Sequence, residues 1–67
     1  MTSEIKIIVE PRHITYISRI MEGYEYLGVV TTLNRSAGLL LIRSTADMAD
    51  EARAVLKSLA IRVEFVN

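Results

Sequence analysis

Apolar residues recur along the chain with two different periods, one of two residues and one of three to four. Residues 4–10 alternate, which predicts a strand. Its inward side would carry Ile5, Ile7 and Val9. From His13 the period lengthens to that of a helix, with the apolar stripe Ile14, Ile17, Ile20, Met21 and Tyr24. Pro11 suits the first turn of this helix, and Gly23 favours its end, because glycine adopts left-handed torsions cheaply.

The remaining residues predict three more strands and a second helix. Residues 27–33 are rich in branched side chains and predict the second strand, and residues 34–38 have the turn chemistry of a hairpin. Residues 39–43 predict the third strand, and the alternation in residues 61–66 predicts the fourth. The second helix has the stripe Met48, Ala52, Val55, Leu56 and Leu59. Its candidate N-terminal caps are Ser44, Thr45 and Asp47.

The resulting order, β-α-β-β-α-β, predicts an α+β fold of the ferredoxin-like type in a single domain spanning residues 1–67. That fold is a sandwich with a four-stranded antiparallel sheet and two helices on one face. Its first and third strands are central and therefore need apolar residues on both sides, whereas its edge strands are mixed. The runs IKIIV and LLLI are nearly all apolar, and VVTTL and IRVEF are mixed, as this layout requires.

The sheet face without helices would carry Ile8, Val66 and alternate residues of LLLI, a surface typical of an interface. A chain of 67 residues buries only ~60% of its unfolded surface, so small domains often depend on disulfides, metals or oligomerisation. The absence of cysteine and the single histidine exclude disulfides and both thiolate and multi-histidine metal sites. We therefore expect a homodimer or larger homo-oligomer. The alternative is a monomer whose second face is broken up by charges, namely Lys6, Glu10, Arg62 and Glu64.

Charge and hydropathy exclude several classes of partner. Eight basic and eight acidic residues cancel, so no long-range field steers the chain to nucleic acid or to an anionic membrane. The longest apolar run, residues 37–42, is far shorter than the ~20 residues of a membrane helix, and the start of the chain lacks a signal-peptide pattern. We expect a cytoplasmic protein. His13 and Ser18 lie at the wrong angle on one helix to form a nucleophile–base pair, so we expect no catalytic residue and no cofactor.

Two short stretches are candidate ligand sites. In the first, Arg12 and His13 begin the first helix, where N–H groups favour anions and a guanidinium can clamp a carboxylate or phosphate. The second is the stretch IMEGYEYLGVV, where we expect Tyr24 in the core, Tyr26 facing outward and Gly28 allowing close approach of a ligand or another backbone. The alternatives are a solvated first turn and a corner that only sets helix against strand.

These residues also carry a resemblance. The run from Pro11 to Tyr16, the segment EGYEYLGVVTTL, and Gly38 with its apolar strand resemble a family of short bacterial proteins whose shared domain has no assigned function. In layout the chain is similar to ACT-like domains, which pair through their sheets and often bind amino acids at the interface of the pair. The resemblance implies a ligand site at Pro11, Arg12 and His13 and near Gly28. Glu10-Pro11-Arg12 stands where ACT domains usually have an aspartate and a glycine.

We therefore expect a non-catalytic ACT-like module that dimerises and binds a small anionic metabolite, such as an amino acid. Its ligand-binding residues would be Arg12, His13, Tyr26 and Gly28, with Tyr26 of a second subunit closing over the ligand. The alternative is a structural or protein-interaction module with no small ligand.

Overall fold

A computed structural model describes residues 2–66 as a four-stranded antiparallel sheet with two helices, an α+β fold. The elements in chain order are β1 (Thr2–Ile8), a 3-10 turn (Pro11–His13), α1 (Ile14–Gly23), a second 3-10 turn (Glu25–Leu27), β2 (Val29–Asn34), β3 (Leu39–Thr45), α2 (Ala49–Lys57) and β4 (Glu64–Phe65). Both predicted helices and all four predicted strands are present, and every difference concerns where an element begins or ends.

The strand order is β2-β3-β1-β4, so β1 and β3 are central and the prediction drawn from their two-sided apolar character is confirmed. At one end of the sheet Leu39 pairs with both Ile8 and Asn34, and we call this the hairpin end. At the other, Arg43 pairs with both Glu4 and Val29, and we call this the corner end. Because β2 runs from the corner end to the hairpin end, its first and last residues lie at opposite ends of the sheet.

The core lies between one face of the sheet and both helices. Alternate residues of the central strands point into it, because successive side chains of a strand face opposite sides. A single buried cluster unites the strand residues Ile5, Ile7, Leu40 and Ile42, the helix residues Ile14, Ile17, Met21, Ala49, Ala52 and Leu56, and the loop residues Val9 and Leu27. Since both helices pack on strand residues of the same alternation, they cover the same face and leave the other face open.

Strands β1 and β4 have different bounds from those that the sequence pattern predicts: β1 keeps its seven residues but lies two residues earlier in the chain. β1 ends at Ile8 rather than at Glu10, because the chain enters a 3-10 turn at Pro11, and β4 comprises only Glu64–Phe65 rather than residues 61–66. The apolar alternation there reports burial rather than pairing, because Ile61, Val63 and Phe65 pack against the core although only the last is in a strand.

The end of α1 corrects the expectation that Tyr24 is a core residue. The helix ends at Gly23, and Tyr24 leaves the helical conformation with φ −120° and ψ 49°, so its side chain leaves the apolar stripe and is 40% exposed. Leu27, expected in the second strand, lies instead in a 3-10 turn and is fully buried. Gly23 ends the helix without a positive φ, so the left-handed end that its presence suggested does not form.

The start of α2 is also capped differently from the expectation. Ser44 is a buried β3 residue whose hydroxyl donates to the carbonyl oxygen of Leu27, so it holds the corner against the sheet instead of capping a helix. Thr45 does reach the helix start, where its Oγ1 accepts a hydrogen bond from the N–H of Met48 at 3.3 Å. Met48 itself occupies the N-cap position without a side-chain hydrogen bond, and Asp47 is exposed.

Candidate functional site

The link between β1 and α1 carries the first pair of candidate residues. The Nε of Arg12 lies 2.7 Å from Oε2 of Glu10, and both side chains are largely exposed. Exposed pairs of this kind contribute between ~0 and 1 kcal/mol, so a ligand carboxylate could replace Glu10 at little cost. Arg12 is therefore oriented by its neighbour but remains accessible.

The backbone at this link offers fewer free donors than the sequence suggests. The N–H of His13 donates to the carbonyl oxygen of Glu10 at 2.8 Å, and the N–H of Ile14 donates to Pro11. The 3-10 turn that precedes α1 thus uses two of the groups that an anion would need. His13 is half-buried, and its Nδ1 is a buried atom with no hydrogen-bond partner among residues 2–66.

A shallow cleft lies beside this link at the hairpin end of the sheet. It has a volume of about 190 Å³ and is lined by Ile8, Val9, Glu10, Arg62 and Glu64. The two glutamates thus share one cleft with the guanidinium of Arg62. Arg12 is not part of its lining.

A larger cleft lies at the corner end, where α1 meets the edge strand β2. It has a volume of about 300 Å³ and is lined by Met21, Glu22, Glu25, Gly28, Val29 and Val30. Apolar side chains are thus combined with two exposed carboxylates, neither of which has an ion-pair partner within the described residues. We call it the acidic cleft. Sequence reasoning did not single out Glu22 or Glu25, although carboxylates at a helix C-terminus, where the backbone carbonyls are already negative, are an unusual choice.

Gly28 has a packing role at this corner. A Cβ at position 28 would lie 2.6 Å from the backbone oxygen of Arg43 and 2.9 Å from Cγ2 of Ile42. The close approach that glycine permits here is therefore that of β3. Tyr26 faces outward, as the sequence predicts: it is 61% exposed, and its ring meets that of Tyr24 edge-on at 6.4 Å.

Within one chain the four candidate residues form two separate pairs. Arg12 and His13 follow β1 at the hairpin end, whereas Tyr26 and Gly28 precede β2 at the corner end. The ten residues of α1 separate the pairs by ~15 Å, at 1.5 Å per helical residue. A site that uses both pairs requires a second copy of the chain.

The open face is the side of the sheet that carries no helix. Leu41 lies in the middle of this face between its strand partners Lys6 and Thr31, and it is only 6% exposed although no helix covers it. Ile8 and Leu39 pair with each other at the hairpin end, and Glu64 lies opposite Ile8 on its other side. Around this centre lie Val29, Thr31 and Val66, and the charged residues Glu4, Lys6 and Arg43. Glu4 and Arg43 are cross-strand neighbours whose Oε2 and Nε lie 3.8 Å apart.

Residues 2–66 hold no group of three or more histidine, cysteine or acidic side chains placed to bind a metal ion. Over the same residues, neither helix has the length and apolarity needed to cross a membrane.

Comparison with known proteins gives one match. A family model described as a domain of unknown function (DUF4911) matches residues 7–63, a stretch that contains β2, β3 and both helices. Neither a search of curated proteins nor a search of solved structures gave a match.

Proposed function

The chain belongs to the family described as a domain of unknown function (DUF4911), and we propose that it is a non-catalytic module that pairs with a second copy through the open face of its sheet. The observation that carries this proposal is that this face, which no helix covers, carries the half-buried Ile8 and Leu39 and the exposed Val29 and Val66 beside the buried Leu41. Contiguous apolar surface without cover is typical of an interaction site. The net charge of zero adds no repulsion between copies.

A ferredoxin-like, ACT-like layout belongs to the same proposal. It is supported by the order β-α-β-β-α-β and by a sheet in which the two outer strands are the second and the fourth. Such a sheet has one face free for pairing. A standard interface takes ~800 Å² from each partner, which is about a fifth of the 4367 Å² surface of this chain, so most of the open face has to take part.

The proposal is tested by placing a charge on the open face. We expect the wild-type protein to sediment as a dimer or larger at micromolar concentration, and Ile8→Lys to lower the association state, because a lysine between Leu39 and Glu64 would have to be desolvated against the other copy. Val66→Lys, at a position that is 48% exposed, makes the same test with less risk to folding. Thr15→Lys is the matched control, since it adds the same charge to the exposed side of α1. A wild-type monomer of 7.5 kDa at all concentrations, or an unchanged state in both open-face variants, contradicts the proposal.

The second candidate function is binding of a small anionic metabolite, such as an amino acid, at the β1–α1 link. It is favoured by the exposed guanidinium of Arg12. Within a dimer, Tyr26 of the second copy would close over the ligand. The alternative function is a structural or protein-interaction module that has no small ligand.

This ligand proposal has its own experiment. We expect carboxylate or phosphate metabolites to raise the melting temperature of the wild type and not that of Arg12→Ala, whose melting temperature without ligand stays nearly unchanged because the Arg12–Glu10 pair is exposed. Arg53→Ala, which removes another arginine with an acidic neighbour, is the control. If Arg12→Ala responds to the anion as the wild type does, the guanidinium does not bind it.

A further inference from the structure

We propose a second contact between copies of this chain, separate from the open face: antiparallel pairing of the β2 edges, in which Arg35 of each copy enters the acidic cleft of the other. The two ends of β2 carry charges of opposite sign that form no ion pair within residues 2–66.

The two edges of the sheet differ in how far they are protected. β4 comprises only Glu64–Phe65 and includes a charged residue, and short, charged edges discourage further pairing. β2 has six residues, VVTTLN, with neither a charged side chain nor a proline. Its outer side faces no other strand of the described sheet, and most of its residues are exposed. A long, uncharged edge of this kind is a template for an added strand.

One end of β2 is negative. Glu22 and Glu25 line the acidic cleft next to Val29, the first residue of the strand, and within the described residues neither glutamate forms an ion pair. The C-terminus of α1, which is the negative end of the helix dipole, adds to the negative potential there. The apolar side chains in the lining, which include Met21 and Val30, suit the aliphatic stem of a long basic side chain.

The other end of β2 is positive. Arg35 directly follows Asn34, the last residue of the strand, and is exposed in the turn of the hairpin. Over residues 2–66 its side chain makes neither a hydrogen bond nor an ion pair, whereas Arg12, Arg43 and Arg53 each lie next to a carboxylate. A single copy cannot bring Arg35 to the acidic cleft, because the two lie at opposite ends of the sheet.

A two-fold axis brings the opposite charges together. When two β2 strands pair antiparallel, the end of each lies beside the start of the other, and the symmetry creates the same contact twice. Each Arg35 then meets the carboxylates of its partner, where a guanidinium can bind in a bidentate manner. The occupant is a second copy of this chain, because the chain carries both halves of the contact at matching positions along one strand.

The experiment isolates this edge by working in the Ile8→Lys background, in which the open-face contact is removed. We expect the Ile8→Lys protein to sediment as a dimer, and the wild type, which has both contacts, as a larger assembly. Addition of Arg35→Glu, or of Glu22→Arg with Glu25→Arg, should weaken self-association at least about tenfold, because both contacts of each dimer change from attraction to repulsion. Arg53→Glu is the matched control, since it makes the same change on α2, and should leave the dimer intact.

Mixing the two charge-reversed proteins gives the decisive measurement. In a mixed pair, one contact is the original one and the other has both signs inverted, so a 1:1 mixture should recover the dimer that neither protein forms alone. Added salt should weaken the Ile8→Lys dimer, because exposed charges are screened. A monomeric Ile8→Lys protein, or a mixture that stays monomeric, overturns the edge contact. If copies do not pair through the open face, the wild type and the Ile8→Lys protein instead form the same edge-paired dimer. The results therefore distinguish a wrong edge contact from a wrong open-face contact.

Discussion

Gly38 offers the sharpest test of how the hairpin is joined to the central sheet. Its φ is +71°, in the left-handed region, and a Cβ there would overlap the backbone carbonyl of Val9. The carbonyl oxygen of Gly38 also accepts a hydrogen bond from the N–H of Val9 at 3.0 Å, and its own N–H donates to Arg35 at 3.1 Å. Gly38→Ala therefore changes the torsional energy and the packing of one backbone on another together.

The size of the effect follows from these contacts. The left-handed conformation costs a residue with a Cβ ~1–2 kcal/mol. Moving the turn away from Val9 also loses a hydrogen bond with a net contribution of ~0.5–1.5 kcal/mol. We expect Gly38→Ala to reduce the free energy of unfolding by ~1.5–3.5 kcal/mol. For 67 residues at ~0.05–0.15 kcal/mol each, the whole domain has only ~3–10 kcal/mol, so the variant would be marginal at best.

The matched control is the glycine that ends α1. Gly23 has no positive φ, and a Cβ there would meet no atom within 4 Å. Gly23→Ala should therefore leave stability unchanged or raise it by up to ~1 kcal/mol, since alanine is the better helix former. The assay is urea unfolding of both variants and the wild type at one protein concentration, because association raises apparent stability. Equal losses at both glycines, or a Gly38→Ala protein as stable as the wild type, would refute the reasoning.

Two further predictions concern the core and the corner. Ile17→Ala should lower the free energy of unfolding by ~2–5 kcal/mol, because Ile17 is fully buried and its truncation leaves a cavity. Arg19→Ala, on the exposed side of α1, should lower it by less than ~1 kcal/mol, and similar losses for both variants in chemical unfolding would mean that α1 is rotated about its axis. Ser44→Ala should lower the free energy of unfolding by ~1–3 kcal/mol, because the buried carbonyl of Leu27 loses its hydrogen-bond donor. Ser58→Ala, which removes an exposed hydroxyl bonded to a backbone carbonyl, should lower it less, and a Ser44→Ala protein as stable as the wild type would show that the carbonyl of Leu27 finds another donor.

The sequence predicted the layers of this fold better than its corners. Ile5, Ile7, Ile14 and Ile17 are buried where the two periods place them, because burial on a regular element depends on local spacing alone. Tyr24 was misplaced because the stripe was extended one residue past the end of the helix, where the backbone leaves the helical phase.

The candidate sites were harder to predict, since a site depends on which ends of the sheet meet. Arg12 and Tyr26 both flank the first helix in the sequence and were both candidate ligand residues, but they lie at opposite ends of α1. Ser44 was assigned a cap because its residue type favours one, whereas its actual partner, Leu27, comes from a distant segment. Glu22 and Glu25 gave no recognisable motif, and only the fold shows that they share a cleft.

The position of β1 between β3 and β4 has a consequence for the kinetics of folding. β2 and β3 are consecutive and can zip together from their turn, but both partners of β1 lie far along the chain, so its pairing requires the closure of long loops. The central strand of the finished sheet is therefore expected to join after the hairpin has formed, and pulsed hydrogen exchange that protects β1 amides first would contradict this order. Until β1 pairs, the apolar side of the β2–β3 hairpin is exposed to solvent. The protein concentration and the rate at which β1 pairs would therefore determine what fraction of the refolding protein aggregates.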